Sequence, residues 1–193
     1  MNWNRFLSRI RFRLSALIGP RMVYGFHRGD GMYLKRTRVS NMTRIEHINK
    51  LQVEDNVYIG HFNLIDASGG LHIGEGCQIT NYVSVLTHSS HVAIRLYGRE
   101  YLQRDNHAGY LKRPSSLGRY SFVGPHSVLM PGVTLGKGSI VSAYSYVPAG
   151  VYPDFAILSG NPARVVGDTR EMDAKWLEQH PDLQALYEGW ADD

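Results

Sequence analysis

Cysteine is nearly missing from this sequence, and long apolar runs are missing altogether. One cysteine, Cys77, among 193 residues excludes an intrachain disulfide framework and a cysteine-based zinc finger. No apolar run approaches the ~18 residues of a transmembrane helix, so the sequence predicts none. Hydrophobic residues make up 43% and charged residues 20%, which indicates a folded globular chain and excludes a disordered or fibrous one.

Acidic residues are almost absent from the first part of the chain. Residues 1–44 hold ten Lys or Arg and one acid, Asp30, whereas the other 149 residues carry a net charge of −5. Residues 1–18 also place apolar side chains at helical spacing between the arginines. We therefore expect a basic, partly helical N-terminal arm over residues 1–38. It either makes peripheral contact with an anionic membrane or docks on the protein itself.

The composition of the arm also bears on the compartment of the protein and on whether it binds nucleic acid. Its arginines interrupt the apolar run too often for a secretory signal, and the expected compartment is the cytoplasm, including the inner face of the membrane. No recognition motif accompanies the basic residues, so no nucleic-acid partner is expected.

Glycine is abundant, with 20 residues, and it accompanies an internal repeat. An apolar residue recurs every sixth position, except for one interval of eight beside Gly69 and Gly70, and small or branched residues follow four positions later. A helix has a period of 3.6 and a strand a period of 2, so neither produces this spacing. The apolar positions are Val53, Ile59, Ile65, Ile73, Ile79, Val85, Leu117, Val123, Leu129, Leu135, Val141 and Val147.

A six-residue repeat predicts one short strand followed by one tight corner. Three repeats then close a triangular coil with the apolar residues inside, and stacked coils form a β-helix of about four to five coils over residues 39–166. A β-sandwich is the alternative, but its turns would recur at 8–12 residues. Glycine after the apolar position is expected where corners need an unusual φ.

The repeat stops at residues 87–116 and ends with Gly160-Asn161-Pro162-Ala163-Arg164. The sequence resembles the hexapeptide-repeat acyltransferases, especially the sugar and polysaccharide O-acetyltransferases. The resemblance lies in the six-residue repeat, in the inserted loop with Leu86-Thr87-His88 at its base, and in this ending. The resemblance covers about residues 45–170. It implies an all-β fold, a left-handed parallel β-helix over residues 39–166 with the inserted loop 87–116, and short terminal helices, including a tail over 167–193.

The resemblance also implies which residues bind the acceptor and perform the chemistry. Relatives carry the catalytic histidine at the base of the inserted loop, so His88 is the expected general base. His91 is the next candidate for the base and is also expected to bind the substrate. Imidazole suits this role because it takes up and releases protons near neutral pH. Asn63 and Asp66 lie one coil earlier and are expected to contact the acceptor or orient the base. Asn63 fits equally well as a hydrogen-bonded corner residue, and the same alternative holds for Asp66.

Further residues are implied on the acyl-donor side of the site. Relatives often have tryptophan where Phe122 stands, which makes Phe122 a substrate-binding candidate. Backbone N–H groups of later coils stabilise the thioester in relatives, but Pro125 has none, so Gly124 or Ala143 is expected to serve. Arg164 is expected to meet the phosphates of the nucleotide.

Together these features predict a transferase that moves an acetyl group from acetyl-CoA to a sugar hydroxyl in polysaccharide or glycolipid biosynthesis. The resemblance implies a homotrimer with sites between adjacent solenoids. One alternative is an N-acetyltransferase acting on an amino sugar or antibiotic. Another is a zinc-dependent hydratase on the same solenoid, which needs three converging histidines. No metal is expected, since His88 and His91 are three positions apart and that pattern needs five.

Overall fold

The computed structural model describes residues 17–192. Most of the segment predicted to bind a membrane or dock, residues 1–16, lies outside the described residues. The first strands are β1 (Met22–His27), β2 (Tyr33–Ser40), β3 (Arg44–Glu46), β4 (Leu51–Val53), β5 (Tyr58–Ile59), β6 (Leu64–Asp66), β7 (Leu71–Ile73), β8 (Gln78–Ile79), β9 (Ser84–Val85) and β10 (His88–Ser89).

The later strands are β11 (Leu111–Lys112), β12 (Ser115–Leu117), β13 (Phe122–Val123), β14 (Val128–Leu129), β15 (Val133–Leu135), β16 (Ile140–Val141), β17 (Tyr146–Val147), β18 (Gly150–Tyr152), β19 (Ala156–Gly160) and β20 (Ala163–Asp168). The α-helices are α1 (Ala93–Tyr97), α2 (Thr169–Gln179) and α3 (Gln184–Ala191), and short 3₁₀ helices cover Ile48–Lys50, Gly98–Gln103 and Pro181–Leu183.

The strands form three stacks that the chain visits in turn. The first sheet has the order β1-β2-β5-β8-β13-β16-β19-β20, the second β17-β14-β9-β6-β3, and the third β18-β15-β12-β7-β4. Except at the two ends of the first sheet, neighbouring strands within the stacks are parallel; for example, Ile59 pairs with Ile79, and Val123 with Val141. The prediction of a mostly β chain with parallel sheets and few short helices is therefore confirmed.

The side chains at the repeat positions form the core between the three sheets. All twelve apolar residues of the six-residue series are at most 2% exposed, as the repeat predicted. The small or branched residues four positions later are buried as well. They are Val57, Asn63, Cys77, Val83, Ser121, Ser127, Val133, Ser139 and Ser145.

The glycines that follow the apolar positions are needed for a different reason from the one predicted. None of them has a positive φ. A Cβ at Gly118 would lie 2.4 Å from the backbone nitrogen of Lys137, and one at Gly136 would lie 2.3 Å from that of Asp154. These glycines therefore allow the next coil to approach closely, and the expectation of an unusual φ at these positions is wrong.

Antiparallel strands lie at both ends of the first sheet. At one end, β1 pairs with β2 in a hairpin, and β2 then runs parallel to β5. Residues 22–38 of the expected arm are thus largely strand and not helix. At the other end, β20 returns along β19, and α2 begins where the Asp168 carboxylate accepts the N–H of Arg170 at 2.8 Å. The division into arm, solenoid and tail stays a prediction. No helix within residues 17–192 is long and apolar enough to cross a bilayer.

Candidate active site

The inserted loop leaves the solenoid at the corner between the second and the third sheet. It starts after β9, and its two ends pair as the antiparallel ribbon of β10 and β11, in which His88 lies opposite Lys112. A Cβ at Gly69 would meet the Thr87 and Arg113 carbonyl oxygens at 2.6 and 2.9 Å. The two ends of the loop therefore pass directly over this glycine, which sets the loop root against the coil below.

His88 is held by a buried carboxylate at this root. Its Nδ1 lies 2.7 Å from Oδ2 of Asp66 and 2.9 Å from the hydroxyl oxygen of Ser68. An ionised carboxylate only accepts hydrogen bonds, so Nδ1 carries the proton and donates it to Asp66. The lone pair of the neutral ring is then on Nε2, which has no hydrogen-bond partner among residues 17–192. This tautomer is the one that a general base requires.

Asp66 is 0% exposed, yet its surroundings favour the ionised form. Oδ1 accepts the Ser68 N–H at 2.8 Å, and Oδ2 accepts the Thr87 N–H at 2.8 Å and the Thr87 hydroxyl at 2.9 Å. Burial by itself raises the pKa of Asp66, but these hydrogen bonds outweigh it and hold the pKa well below its ordinary range. The carboxylate therefore remains charged and keeps the proton of His88 on Nδ1.

The ring of His88 is also fixed from the loop side. Tyr110 stacks on it with ring centroids 5.8 Å apart and an angle of 13° between the planes. The side chain of His88 remains 34% exposed. The imidazole is thus oriented by Asp66 and Tyr110 while it can still be reached from outside the protein.

Asn63 and His91, which the sequence also singled out, do not join this group. Asn63 is buried, donates to the carbonyls of Gly60 and Thr80, and accepts the N–H of Val83. Its amide is therefore occupied between coils, and the geometry favours the corner role over contact with an acceptor. The exposed His91 has its Nδ1 2.8 Å from the hydroxyl of Ser89.

Gly124 and Ala143 lie at another corner, between the first and the second sheet. The N–H of Gly124 already donates to the carbonyl of Val141 at 2.7 Å, so it cannot be the free donor that was expected. A Cβ at Gly124 would lie 2.5 Å from the nitrogen of Ala143, so glycine is needed there for close stacking. The exposed Ala143 has an N–H with no hydrogen-bond partner among the described residues.

Phe122 faces outward on the first sheet, away from the loop root. It lines a cavity of about 640 Å³ between that sheet and the C-terminal helices. This cavity is larger than the one of about 470 Å³ beside Tyr110 and Lys112, but its walls are mainly apolar and contain no histidine from residues 17–192, so the candidate site is the loop root. Other residues of its wall are Ile140, Trp176, Leu183, Leu186 and Trp190.

Arg164 lies at the far end of the first sheet, directly after the Asn161–Pro162 turn. It belongs to β20 and pairs with Ser159. Its side chain is exposed, with one hydrogen bond from Nη1 to the carbonyl of Ala163 at 3.0 Å. The guanidinium is therefore available at the surface. Within residues 17–192, no three His, Cys, Asp or Glu side chains are grouped as a metal ion would require.

Four residues of the loop root were not singled out from the sequence: Ser68, Thr87, Tyr110 and Lys112. Ser68 had a visible signal, because it lies in the interval of eight residues between Ile65 and Ile73, which marks an irregular corner one coil below the insertion. Thr87 had one as well, because it stands where the repeat stops. Tyr110 and Lys112 had none, since the loop has no repeat from which its return path could be predicted.

Comparison with known proteins finds several relatives, although no family model matches the chain. The carnitine operon protein CaiE of Proteus sp. (strain LE138) is 29% identical over 120 residues, which cover 61% of this chain and 54% of that protein. Serine acetyltransferase 2 of Arabidopsis thaliana is 25% identical over 150 residues, which cover 78% of this chain and 42% of that protein. The chain therefore spans about half the length of these curated relatives.

Solved structures show the same fold. AntD, an N-acyltransferase from Bacillus cereus in complex with dTDP and 3-hydroxybutyryl-CoA, matches with a TM-score of 0.57 and 15% identity, over 76% of this chain and 89% of that chain. A maltose O-acetyltransferase from Clostridium difficile 630 matches with a TM-score of 0.55 and 18% identity, over 66% and 64%. The expected resemblance to the hexapeptide-repeat acyltransferases is thereby confirmed.

Proposed function

We propose that the protein transfers an acetyl group from acetyl-CoA to a hydroxyl of a sugar, in the biosynthesis of a surface polysaccharide or glycolipid. The observation that carries this proposal is the contact of 2.7 Å between His88 and Asp66 at the root of the inserted loop. The relatives support it: one is named a serine acetyltransferase, one structure is a maltose O-acetyltransferase, and AntD was solved with an acyl-CoA.

His88 acts as the general base and then as the general acid. Its Nε2 removes the proton of the acceptor hydroxyl while that oxygen attacks the thioester carbonyl carbon. The tetrahedral intermediate then expels the thiolate as the C–S bond breaks, and Nε2 returns the proton to the sulfur. Asp66 stays ionised throughout and stabilises the imidazolium that forms between these two steps.

The negative oxygen of the intermediate needs a hydrogen-bond donor, and we assign this to the N–H of Ala143. In one chain, Ala143 and His88 lie at different corners, two coils apart along the stack. One side of a coil separates these corners, six residues that span up to about 20 Å at roughly 3.3 Å per residue. We therefore propose a homotrimer in which Ala143 of one chain faces His88 of the next, with the solenoid wound left-handed as the resemblance implies. Sedimentation should then give three times the mass of the chain.

Arg164 is proposed to bind the phosphates of coenzyme A. Contacts to phosphates are made equally before and during the reaction, so Arg164→Glu should raise the KM for acetyl-CoA about tenfold and leave kcat nearly unchanged. Steady-state kinetics with varied acetyl-CoA measure both, and Lys175→Glu on α2 is a charge-matched control. An unchanged KM in Arg164→Glu would remove this residue from the site.

The direct test of the proposed function is thiol release from acetyl-CoA in the presence of sugar acceptors. His88→Ala should lower kcat by ~10²–10⁴, as expected for the loss of a positioned general base. His180→Gln, an exposed histidine at the end of α2, is the control and should retain full activity. If His88→Ala keeps activity within a few-fold and His91→Ala loses it, the assignment of the base is wrong.

The same geometry serves an amine acceptor, because Nε2 can also remove a proton from nitrogen during attack. Mass spectrometry of the product formed with glucosamine distinguishes the two, since an O-acetyl group is lost in mild alkali and an N-acetyl group is retained. Location in the cytoplasm and contact of the basic arm with the membrane stay predictions.

A further inference from the structure

Lys112 lies beside His88 on the same face of the ribbon at the loop root. The two residues are directly opposite in the antiparallel pair of β10 and β11. Opposite residues in such a pair project to the same face, with Cβ atoms about 5 Å apart. Tyr110, two residues before Lys112, is on this face as well, because its ring stacks on His88. The ammonium group of Lys112 thus projects from the immediate neighbourhood of the expected base.

A cavity of about 470 Å³ opens next to these side chains. Its wall contains Asn106, His107, Tyr110 and Lys112, so it holds one permanent cation and no acid. The ammonium of Lys112 forms no ion pair or hydrogen bond with residues 17–192, whereas that of Lys50 donates to the Ser68 carbonyl at 3.2 Å. Lys112 is therefore a cation at a cavity with its hydrogen bonds unused.

The charge of the surrounding segment has the same sign. Residues 87–116 carry five Lys or Arg and two acids, a net charge of +3, whereas the rest of the chain after residue 44 has a net charge of −8. A basic loop on an acidic body attracts anions to the loop in preference to the rest of that surface.

We propose that Lys112 selects an acceptor sugar that carries an anionic group, a carboxylate or a phosphate, and holds that group beside His88. The inference rests on the proposed function and adds the class of acceptor. The Cβ atoms of Lys112 and His88 lie about 5 Å apart. The length of a lysine side chain is also similar to the width of one sugar ring, so the ammonium group of Lys112 and the ring of His88 can contact the same sugar. The anionic group and the reacting hydroxyl therefore belong to the same sugar unit.

The first test compares acceptors that differ in charge. Methyl glucoside is neutral, glucose 1-phosphate keeps its ring hydroxyls and adds a phosphate, and methyl glucuronide replaces its primary alcohol by a carboxylate. We expect kcat/KM to be about tenfold or more higher for at least one charged acceptor, as a charge-assisted hydrogen bond provides. Which charged acceptor is preferred identifies the anion.

The variant Lys112→Met then separates selection from chemistry. It should raise the KM for the charged acceptor about tenfold, and leave its kcat, the kinetics of methyl glucoside and the KM for acetyl-CoA nearly unchanged. Lys175→Met, an exposed lysine outside the loop, should behave like the wild type. An equal or better rate with methyl glucoside, or a fall in kcat for every acceptor in Lys112→Met, would overturn the proposal.

A binding measurement decides the matter even if none of these sugars reacts. Histidine-labelled protein is titrated with inorganic phosphate and with glucuronate while the NMR signals of His88 and His107 are followed. We expect saturable shifts in the wild type and in Lys175→Met, and none in Lys112→Met. No shift in the wild type at tens of millimolar overturns the anion site. Shifts without any acyl transfer would instead uphold the anion site and count against the proposed function.

Discussion

Two edges of the solenoid show how differently a repeated corner can be used. At the edge between the first and second sheets, Phe62, Tyr82, His126 and Tyr144 stand one above the other, with φ near +59° at each. Their ring centroids are 5.1, 4.8 and 4.7 Å apart, which is the spacing of stacked strands. We call these four residues the aromatic edge. Its corners repeat the same backbone conformation in successive coils.

The edge between the second and third sheets is irregular in two successive coils. The corner after β6 is widened by the two extra residues beside Gly69 and Gly70, and the corner after β9 opens into the loop. Asp66 and His88 meet across these two corners. We call this the loop edge. The repeat forms the stable solenoid, and the candidate site lies where two neighbouring corners depart from the six-residue repeat.

The insertion does not disturb the aromatic edge that follows it. Tyr82 and His126 are separated by the whole loop in sequence, yet their rings are 4.8 Å apart and inclined by only 4°. Strand pairing explains this, because β9 and β14 on either side of the insertion remain in register, with Val85 opposite Leu129. An excursion at one corner therefore leaves the stacking at the next corner intact.

The largest difference between the edges is expected from Asp66→Asn. If the amide donates to Nδ1 of His88, the ring proton moves to Nε2 and the base is lost, so kcat should fall by about 10² or more. Asp55→Asn is the matched control: Asp55 also accepts two backbone N–H groups, from Arg36 and Asn56, at a corner far from the loop. It should lower the melting temperature and leave kcat unchanged. Equal activity losses in both variants would show that Asp66 has only a structural role.

Acid unfolding tests the ionisation of the Asp66 carboxylate independently of activity. The pKa of Asp66 in the folded protein lies below its unfolded value of about 3.9. Its ionised form therefore stabilises the fold above that value, and this contribution is lost as the pH falls toward the folded pKa. Asp66→Asn should lose less stability than the wild type between about pH 5 and pH 2. If the free energy of unfolding fell equally with decreasing pH in the two proteins, the low pKa of Asp66 would be contradicted.

The contrast between the edges also explains what could be predicted from the sequence. The burial of the series from Val53 to Val147 could be predicted because the same inward position is apolar in each coil. A pattern that recurs in this way predicts structure better than the propensity of any single residue. The position of His88 was predicted only through the resemblance to known acyltransferases. That Asp66 comes near His88 was expected, since counting repeats places the two residues one coil apart.

Other features depend on geometry that the repeat does not encode. The N–H of Gly124 donates to the carbonyl of Val141, which follows from the pairing of β13 with β16. The return of the loop past Tyr110 and Lys112 arises from a ribbon of two strands whose register has no sequence signal. The aromatic edge was missed although each ring directly precedes a small or branched repeat residue, such as Val83 after Tyr82.

The smallest effect is expected on the aromatic edge, and it is an effect on stability. Tyr82 stacks on two neighbours, Phe62 and His126, so Tyr82→Ala should lower the free energy of unfolding by about 1–3 kcal/mol, at ~0.5–1.5 kcal/mol for each aromatic pair. Phe62→Ala, at the end of the column, removes one stacked pair and should cost about half as much. Both variants keep a Cβ at a positive φ, so backbone strain cancels between them. Thermal and urea unfolding measure the difference. A loss that is equal in the two variants would show that the rings contribute by burial at the corner and not by stacking along the column.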